Sequence, residues 1–218
     1  MLLRQLQEQI AAIYDVPGGP DVSEYLTSDR ALLPLASGAA HADEQLLVAE
    51  DRDGTGLAVA LYLDPLVVER LQRCDPLQCL HGANIADYWT ALEGVSHFAY
   101  LTWNAAHHRA VSVHELELQA EIDKYVCSVE LLQAQNPEYF PAELHRLLFE
   151  RARVDPRLPA GQRALYRRAN QSAARFCQRL AQRLHERGAA ARARLSSDLR
   201  RFYRLTNAAK LHHIAAQS

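Results

Sequence analysis

The sequence predicts a mainly α, α+β fold, a helical domain with one small β-hairpin at about residues 44–63 and a long C-terminal helical hairpin. Three observations carry this prediction. Apolar residues recur every three or four positions over most of the chain, which is the period of a helix that buries one face. Two short runs rich in Leu, Val and Tyr flank the sequence RDGTG, as the strands of a hairpin flank its turn. The last quarter of the chain is rich in arginine and has the same helical period.

The N-terminal part combines one helix, a loop and the hairpin. The first helix is MLLRQLQEQIAAIYDV, whose apolar residues have helical spacing. A segment rich in Gly, Pro, Ser and Asp follows, with one short helix at about 22–26. The hairpin strands are predicted at 44–51 and 56–63, because the glycines of RDGTG can adopt the positive φ that tight turns require. An isolated hairpin is barely stable, so helices are expected to cover one of its faces.

Two helices are predicted directly after the hairpin. Asp64 and Pro65 mark the start of a helix that runs to about Arg73, because Asp is a good N-cap and Pro is favoured at the first helical position. Asn84 can cap the next helix, which keeps an apolar face to about Ala106.

A capping box marks the start of the following helix. In the sequence SVHE, the hydroxyl of Ser112 and the carboxylate of Glu115 can both satisfy backbone N–H groups. This helix is expected to end at about Gln135, where an Asn-Pro pair follows. The two central helices are therefore predicted to be antiparallel neighbours joined at the polar turn 107–109.

Beyond the central helices, the pattern predicts a short helix at 141–152 and then a break that contains Pro and Gly. Two long amphipathic helices complete the chain, with Gly188 as the C-cap of the first.

Length and composition exclude several classes of protein. The chain has 218 residues, of which 49% are hydrophobic and 23% charged, as in an ordinary globular protein. Its N-terminus lacks the unbroken apolar core of a signal peptide, and no apolar stretch is long enough to cross a membrane. The four cysteines show no disulfide framework. We therefore expect a reduced, cytoplasmic protein with no membrane partner.

Charge divides the chain into two parts. Residues 1–150 hold 8 Lys and Arg against 23 Asp and Glu, a net charge of −15, whereas residues 151–218 hold 16 against 3, a net charge of +13. The predicted organisation is an acidic α+β core over 1–150, with the hairpin and the central helix pair, and a basic helical extension over 151–218 packed on it as one domain. Such asymmetry indicates either internal docking or an interaction surface.

Four residues with metal-binding side chains are predicted to converge on one side of the central helix pair. Glu93 and His97 lie one turn apart on the first helix, and Glu117 and Glu121 lie one turn apart on the second. Counting outward from Arg109 sets His97 opposite Glu121. This arrangement loosely resembles the carboxylate metal sites of helical bundles, which use Glu and His three residues apart, whereas Glu93 and His97 are four apart. A metal-dependent enzyme is therefore one hypothesis.

The helical wheel favours another interpretation of these four residues. They lie to the side of the apolar face of each helix, where charged residues usually form solvated salt bridges. A second metal hypothesis, zinc at Cys74, Cys79 and His81, requires a spacing that differs from a zinc knuckle. No P-loop, nucleophile elbow or zinc-protease motif occurs. We therefore predict no cofactor, and a divalent ion at the Glu/His cluster is the alternative.

Arginine dominates the segment 163–204, which has twelve arginines and no lysine. A basic ribbon is predicted beside the apolar stripes of the two long helices, formed by Arg168, Arg175, Arg179, Arg183, Arg200 and Arg201. Arginine binds carboxylate and phosphate in a bidentate manner, although GC-rich, bacterial-like codon usage also favours it over lysine.

Three roles for the ribbon follow from its charge: an internal clamp on the acidic part, binding of an acidic protein surface or a second copy of the chain, and binding of nucleic acid. The absence of a recognisable base-reading motif weakens the third role. We predict a non-enzymatic adaptor or regulatory accessory protein that uses its Arg-rich C-terminal helices to bind an acidic protein partner. A metal-dependent enzyme and a nucleic-acid-binding protein are the alternatives.

Overall fold

A computed structural model describes residues 2–33, 42–50, 56–138, 141–150, 154–184 and 189–216. Its helices are α1 (Leu2–Tyr14), α2 (Pro65–Arg73), α3 (Ile85–Ala106), α4 (Val113–Gln135), α5 (Ala160–Leu184), α6 (Ala189–Tyr203) and α7 (Asn207–Ala216), and its strands are β1 (Leu26–Thr27), β2 (Glu44–Glu50) and β3 (Leu57–Leu63). The predicted mainly α, α+β fold class is confirmed.

The β-hairpin forms where the sequence predicts it. β2 and β3 pair antiparallel, with Glu44 opposite Leu63, and the turn sequence at 51–55 lies outside the described residues. β1 adds a parallel edge to β3, which gives the strand order β1-β3-β2. β1 was not predicted, because two residues are too few to show an alternating pattern. It directly follows a 3-10 turn, Val22–Tyr25, at the place of the predicted short helix.

The helix-start signals are confirmed for α2 and α4. The Asp64 carboxylate accepts a hydrogen bond from the Leu66 N–H at 2.9 Å, and the Ser112 hydroxyl accepts one from the Glu115 N–H at 3.2 Å. The second half of the predicted capping box does not form. The Glu115 carboxylate instead accepts a 2.7 Å bond from the Tyr100 hydroxyl, because both side chains are buried between α3 and α4.

Asn84 does not cap α3 with its side chain, contrary to prediction. Its amide nitrogen donates to the Cys79 carbonyl at 2.9 Å, and its amide oxygen accepts from the His81 N–H at 2.9 Å. These bonds fix the loop before α3, because the Asn84 amide bonds to two loop positions instead of to the start of the helix.

The antiparallel pair α3 and α4 forms the centre of the protein. The sheet and α1 pack against α3, α5 lies along α4, and α6 packs against α1. The large buried side chains of the pair, such as Tyr88, Phe98 and Tyr125, point into these interfaces. Because neighbours cover α3 and α4 on several sides, residues beside their apolar faces are also withdrawn from water.

The C-terminal region differs from its prediction in two places. Within the predicted helix at 141–152, the described residues contain a π-helical turn, Arg146–Glu150. After the two long helices, α7 was not predicted, because its ten residues are too short for a clear helical period. The predicted cap Gly188 lies outside the described residues.

A buried polar network joins α7 to the central helices. The Lys210 ammonium on α7 donates to the Tyr100 hydroxyl at 2.8 Å and to the Gln119 amide oxygen at 2.7 Å. Next to it, the Asp123 carboxylate accepts from the Gln119 amide at 2.8 Å and from the Ser96 hydroxyl at 2.6 Å. Lys210 is fully buried, so these bonds replace its lost hydration.

Candidate metal site

The structure brings the four predicted Glu and His residues of α3 and α4 together. The His97 Nε2 atom lies 3.7 Å from Glu117 Oε1 across the two helices. One ligand atom each from Glu93, His97 and Glu117 can be chosen so that all three lie within 4.8 Å of one another. Glu121 belongs to the same cluster, because a lysine links it to Glu93.

The register of the helix pair differs from the prediction by about one turn. His97 faces Glu117, not Glu121. The reason is the path of the connection between the helices. His108 has a positive φ of 54°, and the Arg109 N–H donates back to the Asn104 carbonyl at 3.0 Å. The chain therefore folds over the last turn of α3 before α4 begins, so counting evenly outward from residue 109 sets the wrong residues opposite each other.

Two further charged residues complete the cluster, and sequence reasoning missed both. Glu44, the first residue of β2, places its Oε1 atom 3.6 Å from His97 Nδ1. Lys124 on α4 places its Nζ atom 2.7 Å from Glu93 Oε2 and 2.9 Å from Glu121 Oε1. No local pattern marks Glu44, because its position depends on how the sheet packs. The sequence contained one indication that Lys124 has a special role, because it is one of only two lysines in the chain.

A glycine on α3 allows Glu44 to reach the cluster. A Cβ atom at Gly94 would lie 2.6 Å from Leu61 Cδ1 on β3 and 2.9 Å from Glu44 Cγ. Both distances are shorter than normal carbon contacts. The absence of a side chain at this position therefore lets the sheet approach α3 closely enough for Glu44 to meet His97.

The cluster is buried, so the predicted solvated salt bridges are wrong. The side chains of His97, Glu117 and Lys124 are only 7%, 10% and 8% exposed. That of Glu44 is 11% exposed, and that of Glu93 is the most open at 28%. The flanks of α3 and α4 that the helical wheel assigns to solvent are covered by β2 and by α5.

Several buried atoms of the cluster have no hydrogen-bond partner among the described residues. They are His97 Nε2, Glu44 Oε1 and Glu121 Oε2. The two contacts of the His97 ring, at 3.6 and 3.7 Å, are too long for hydrogen bonds. Leaving a buried polar atom unpaired costs about 1–3 kcal/mol, and more for a charged one. On the His97 side of the cluster, His97 Nε2 and Glu44 Oε1 are therefore both able to bind a further group.

Burial and mutual repulsion shift the protonation of the carboxyl groups. Burial raises the pKa of Glu117 to about 8, although the charge of His97 opposes this. Burial likewise raises the pKa of Glu44 and of Glu121. Burial alone would also raise the pKa of Glu93, but the adjacent Lys124 ammonium lowers it below its usual value.

The imidazole of His97 responds in the opposite direction. Burial by itself would lower its pKa, but the carboxylates of Glu117 and Glu44 on either side raise it to about 10. When all six groups are ionised, four carboxylates face two cations, so the cluster carries an excess of two negative charges. Protons on carboxyl groups or a bound divalent cation can remove this excess.

The zinc hypothesis at Cys74, Cys79 and His81 gains no support from the geometry. Cys74 Sγ lies 3.4 Å from His81 Nε2, but Cys79 does not join them, and Glu93, His97 and Glu117 form the metal-compatible group found in the described part of the chain. Cys79 is exposed. Its carbonyl, not its thiol, is used by the loop.

The predicted arginine ribbon divides into internally bonded and exposed members. Arg179 donates to the Ile214 carbonyl of α7 at 3.0 Å. Three more form ion pairs: Arg183 with Asp198 at 2.5 Å, Arg201 with Asp198 at 3.7 Å, and Arg200 with Asp15 at 3.4 Å. Arg168 and Arg175 are exposed and form no ion pair with another described residue.

Comparison with known protein families, with curated proteins and with solved structures gives no match for this chain. Within the described residues, every helix is too short or too polar to cross a bilayer.

Proposed function

We propose that the protein binds one divalent transition-metal ion between α3 and α4, with Glu93, His97 and Glu117 as ligands, and that it is a metal-dependent enzyme. The observation that carries this proposal is the buried His97 Nε2 atom, which has no hydrogen-bond partner among the described residues and points toward Glu117 at 3.7 Å. An imidazole nitrogen in such a position lacks a hydrogen bond, and a metal ion would supply the missing interaction.

The separations of the donor atoms support an ion of ordinary size. Metal–nitrogen and metal–oxygen bonds of about 2.1 Å place ligand atoms about 3.4 Å apart in a tetrahedral site. In an octahedral site, adjacent ligand atoms are about 3 Å apart and opposite ones about 4.2 Å apart. The ligand atoms of Glu93, His97 and Glu117 lie within 4.8 Å of one another. Small inward rotations of the side chains would therefore complete the coordination.

The chemistry of the donor set favours manganese, iron or zinc. Carboxylate oxygens suit Mg²⁺, Ca²⁺ and Mn²⁺, whereas imidazole suits zinc, iron, copper and nickel. A site with two carboxylates and one imidazole lies between these preferences. The divalent charge would also neutralise the negative excess of the buried cluster.

The number of proposed protein ligands, three, supports a catalytic role for the metal ion. Catalytic metal sites typically use three protein ligands and keep a position for water, whose pKa the metal lowers. Glu121 Oε2 is buried beside the proposed site and has no hydrogen-bond partner among the described residues, so it can accept a proton. Glu93 lies at the more exposed side of the cluster, where a substrate can approach. Metal-assisted hydrolysis is the reaction class that these features favour.

The test is the metal content of purified protein. After removal of metal by a chelator, the protein is dialysed against Mn²⁺, Zn²⁺ or, without oxygen, Fe²⁺, and the bound metal is measured by elemental analysis. We expect one ion per chain. His97→Ala should weaken binding at least 100-fold, whereas the control His212→Ala, at an exposed residue of α7, should bind as the wild type does. Wild-type protein without stoichiometric metal, or equal binding by His97→Ala, would reject the proposal.

A second candidate, the adaptor that binds an acidic protein, is favoured by the exposure of Arg168 and Arg175 on α5. Neither arginine forms an ion pair with another described residue, so each can form bidentate contacts with carboxylates of a partner. The other four ribbon residues already have contacts within the chain. A partner site on α5 is compatible with a metal site between α3 and α4.

Neutralising the two exposed arginines tests the adaptor. The double variant Arg168→Gln/Arg175→Gln should keep the wild-type melting temperature but lose binding to immobilised poly-glutamate and to a co-purifying acidic protein. Arg183→Gln is the control, because its guanidinium already pairs with Asp198. Wild-type protein that ignores acidic polypeptide but binds duplex DNA, with a steep decrease as salt rises, would instead support the nucleic-acid alternative.

A further inference from the structure

One half of the Glu/His cluster already contains a cation. The Lys124 ammonium lies 2.7 Å from Glu93 Oε2 on α3 and 2.9 Å from Glu121 Oε1 on α4. Its side chain is only 8% exposed. Lys124 therefore bridges carboxylates of two helices from inside the protein, which is the position that a metal ion takes when it links two carboxylate ligands.

The other half of the cluster, around His97, contains no contact of hydrogen-bond length between described residues. His97 stands between Glu44 at 3.6 Å and Glu117 at 3.7 Å, and neither distance is a hydrogen bond. Buried acceptor and donor atoms without partners among the described residues lie on this side, namely Glu44 Oε1 and His97 Nε2. In one half of the cluster, Lys124 therefore forms hydrogen bonds with the carboxylates. In the other half, His97 and Glu44 can bind a further group.

The net charge of the cluster is consistent with one lysine and one divalent ion. With His97 neutral, as a metal ligand must be, the four glutamates and Lys124 sum to −3. One divalent ion reduces this to −1, whereas a second would reverse its sign. Without the lysine, the four carboxylates would carry −4, which two divalent ions neutralise. Sites that hold two ions place them about 3.5–4 Å apart between shared carboxylates.

The geometry points to Lys124 as the residue that fixes the metal stoichiometry of the site: its ammonium occupies the position of a second cation and restricts the centre to a single divalent ion. This inference rests on the proposed function, since it concerns the same site. It attributes the binding of one ion, and not two, to a fixed internal charge that both Glu93 and Glu121 hold in place.

The test replaces Lys124 by uncharged residues and counts the ions bound. Lys124→Met keeps the length and apolar stem of the side chain, and Lys124→Ala leaves more space. Each protein is refolded in saturating Mn²⁺, dialysed, and analysed for metal per chain, and electron paramagnetic resonance distinguishes a single Mn²⁺ from a magnetically coupled pair. Lys210→Met is the matched control, because it removes the other buried lysine, which bonds to Tyr100 and Gln119 outside the cluster.

We expect one ion per chain for the wild type and for Lys210→Met, and two coupled ions for Lys124→Met or Lys124→Ala. If wild type and both Lys124 variants all bind one ion, the inference is wrong and the proposed metal site stands. If the wild type binds no ion, the proposed metal site is wrong, and the inference that rests on it is wrong as well. Failure of both Lys124 variants to fold in saturating metal also overturns the inference, because two divalent ions should replace the charge of the lysine.

Discussion

Replacing Lys210 by Ala should lower the free energy of unfolding by about 3–5 kcal/mol. The substitution removes two buried hydrogen bonds, to the Tyr100 hydroxyl and the Gln119 amide oxygen, and leaves a cavity where a long side chain was packed. It also removes the contact of the Lys210 Nζ atom with the Tyr100 ring, whose centre lies 4.2 Å away. Because Lys210 anchors α7 to α3 and α4, this helix should become accessible to protease.

Chemical denaturation at pH 8 measures this effect. Lys210→Met should cost less than Lys210→Ala, since it keeps the packing and loses only the polar contacts. His212→Ala, at an exposed position two residues further along α7, should change the stability by less than about 0.5 kcal/mol. A loss below 1 kcal/mol for Lys210→Ala would show that the network does not hold α7.

The pH dependence of the same variants has a defined sign. Burial lowers the pKa of Lys210 to about 7, from its ordinary value of 10.5. Between these values the unfolded chain binds more protons than the folded one, so the stability of the wild type should rise with pH over this window. Lys210→Met lacks this term. The stability of the wild type relative to Lys210→Met should therefore increase from pH 7 to 10, and a constant difference would contradict the lowered pKa.

Saturating metal should raise the melting temperature by about 8–16 °C. A ligand that binds only the folded chain at about 1,000 times its Kd stabilises it by about 4 kcal/mol. In a domain of this size each kcal/mol corresponds to about 2–4 °C. The increase should follow addition of Mn²⁺ or Zn²⁺ to metal-free protein, and a chelator should reverse it.

Glu117→Gln provides the control for this metal-linked stability. It keeps the size of a proposed ligand and removes its charge, so the melting temperature should respond little to metal. An equal increase in the variant and the wild type would locate metal binding elsewhere on the chain. An unchanged melting temperature in both proteins would agree with a protein core that is neutralised by protons alone.

Local signals in the sequence predicted the elements around the site well. Asp64 with Pro65 and Ser112 mark helix starts because capping depends on a few neighbouring residues, and the structure confirms both. The spacing of four residues in Glu93/His97 and in Glu117/Glu121 places each pair on one helical face. Their convergence followed from two antiparallel helices, although the folded-back connection shifted the pairing of His97 to Glu117.

Features that depend on distant segments could not be predicted in this way. The helical wheel identifies which residues share a face, but it does not reveal that β2 and α5 cover the flanks of α3 and α4. The same limit applies to Glu44, which reaches His97 because Gly94 lets the sheet approach. The third C-terminal helix, α7, likewise depends on contacts with distant segments, such as those of the buried Lys210.

The sequence by itself determined most of the helices, the hairpin, the charge asymmetry and the side chains of α3 and α4 that can bind metal, because these depend on residue type and on spacing along one element. The sequence also indicated that its lysines have special positions. Only two lysines occur among 24 basic residues, and both are buried, where a compact ammonium can donate to several close acceptors without the bulk of a guanidinium. The tertiary structure alone decided which charges face one another and how far they are removed from water. The distances between residues that are far apart in the sequence, together with their burial, set the pKa of each group. They also leave His97 Nε2 and Glu44 Oε1 without hydrogen-bond partners among the described residues, and so determine the chemistry of the site.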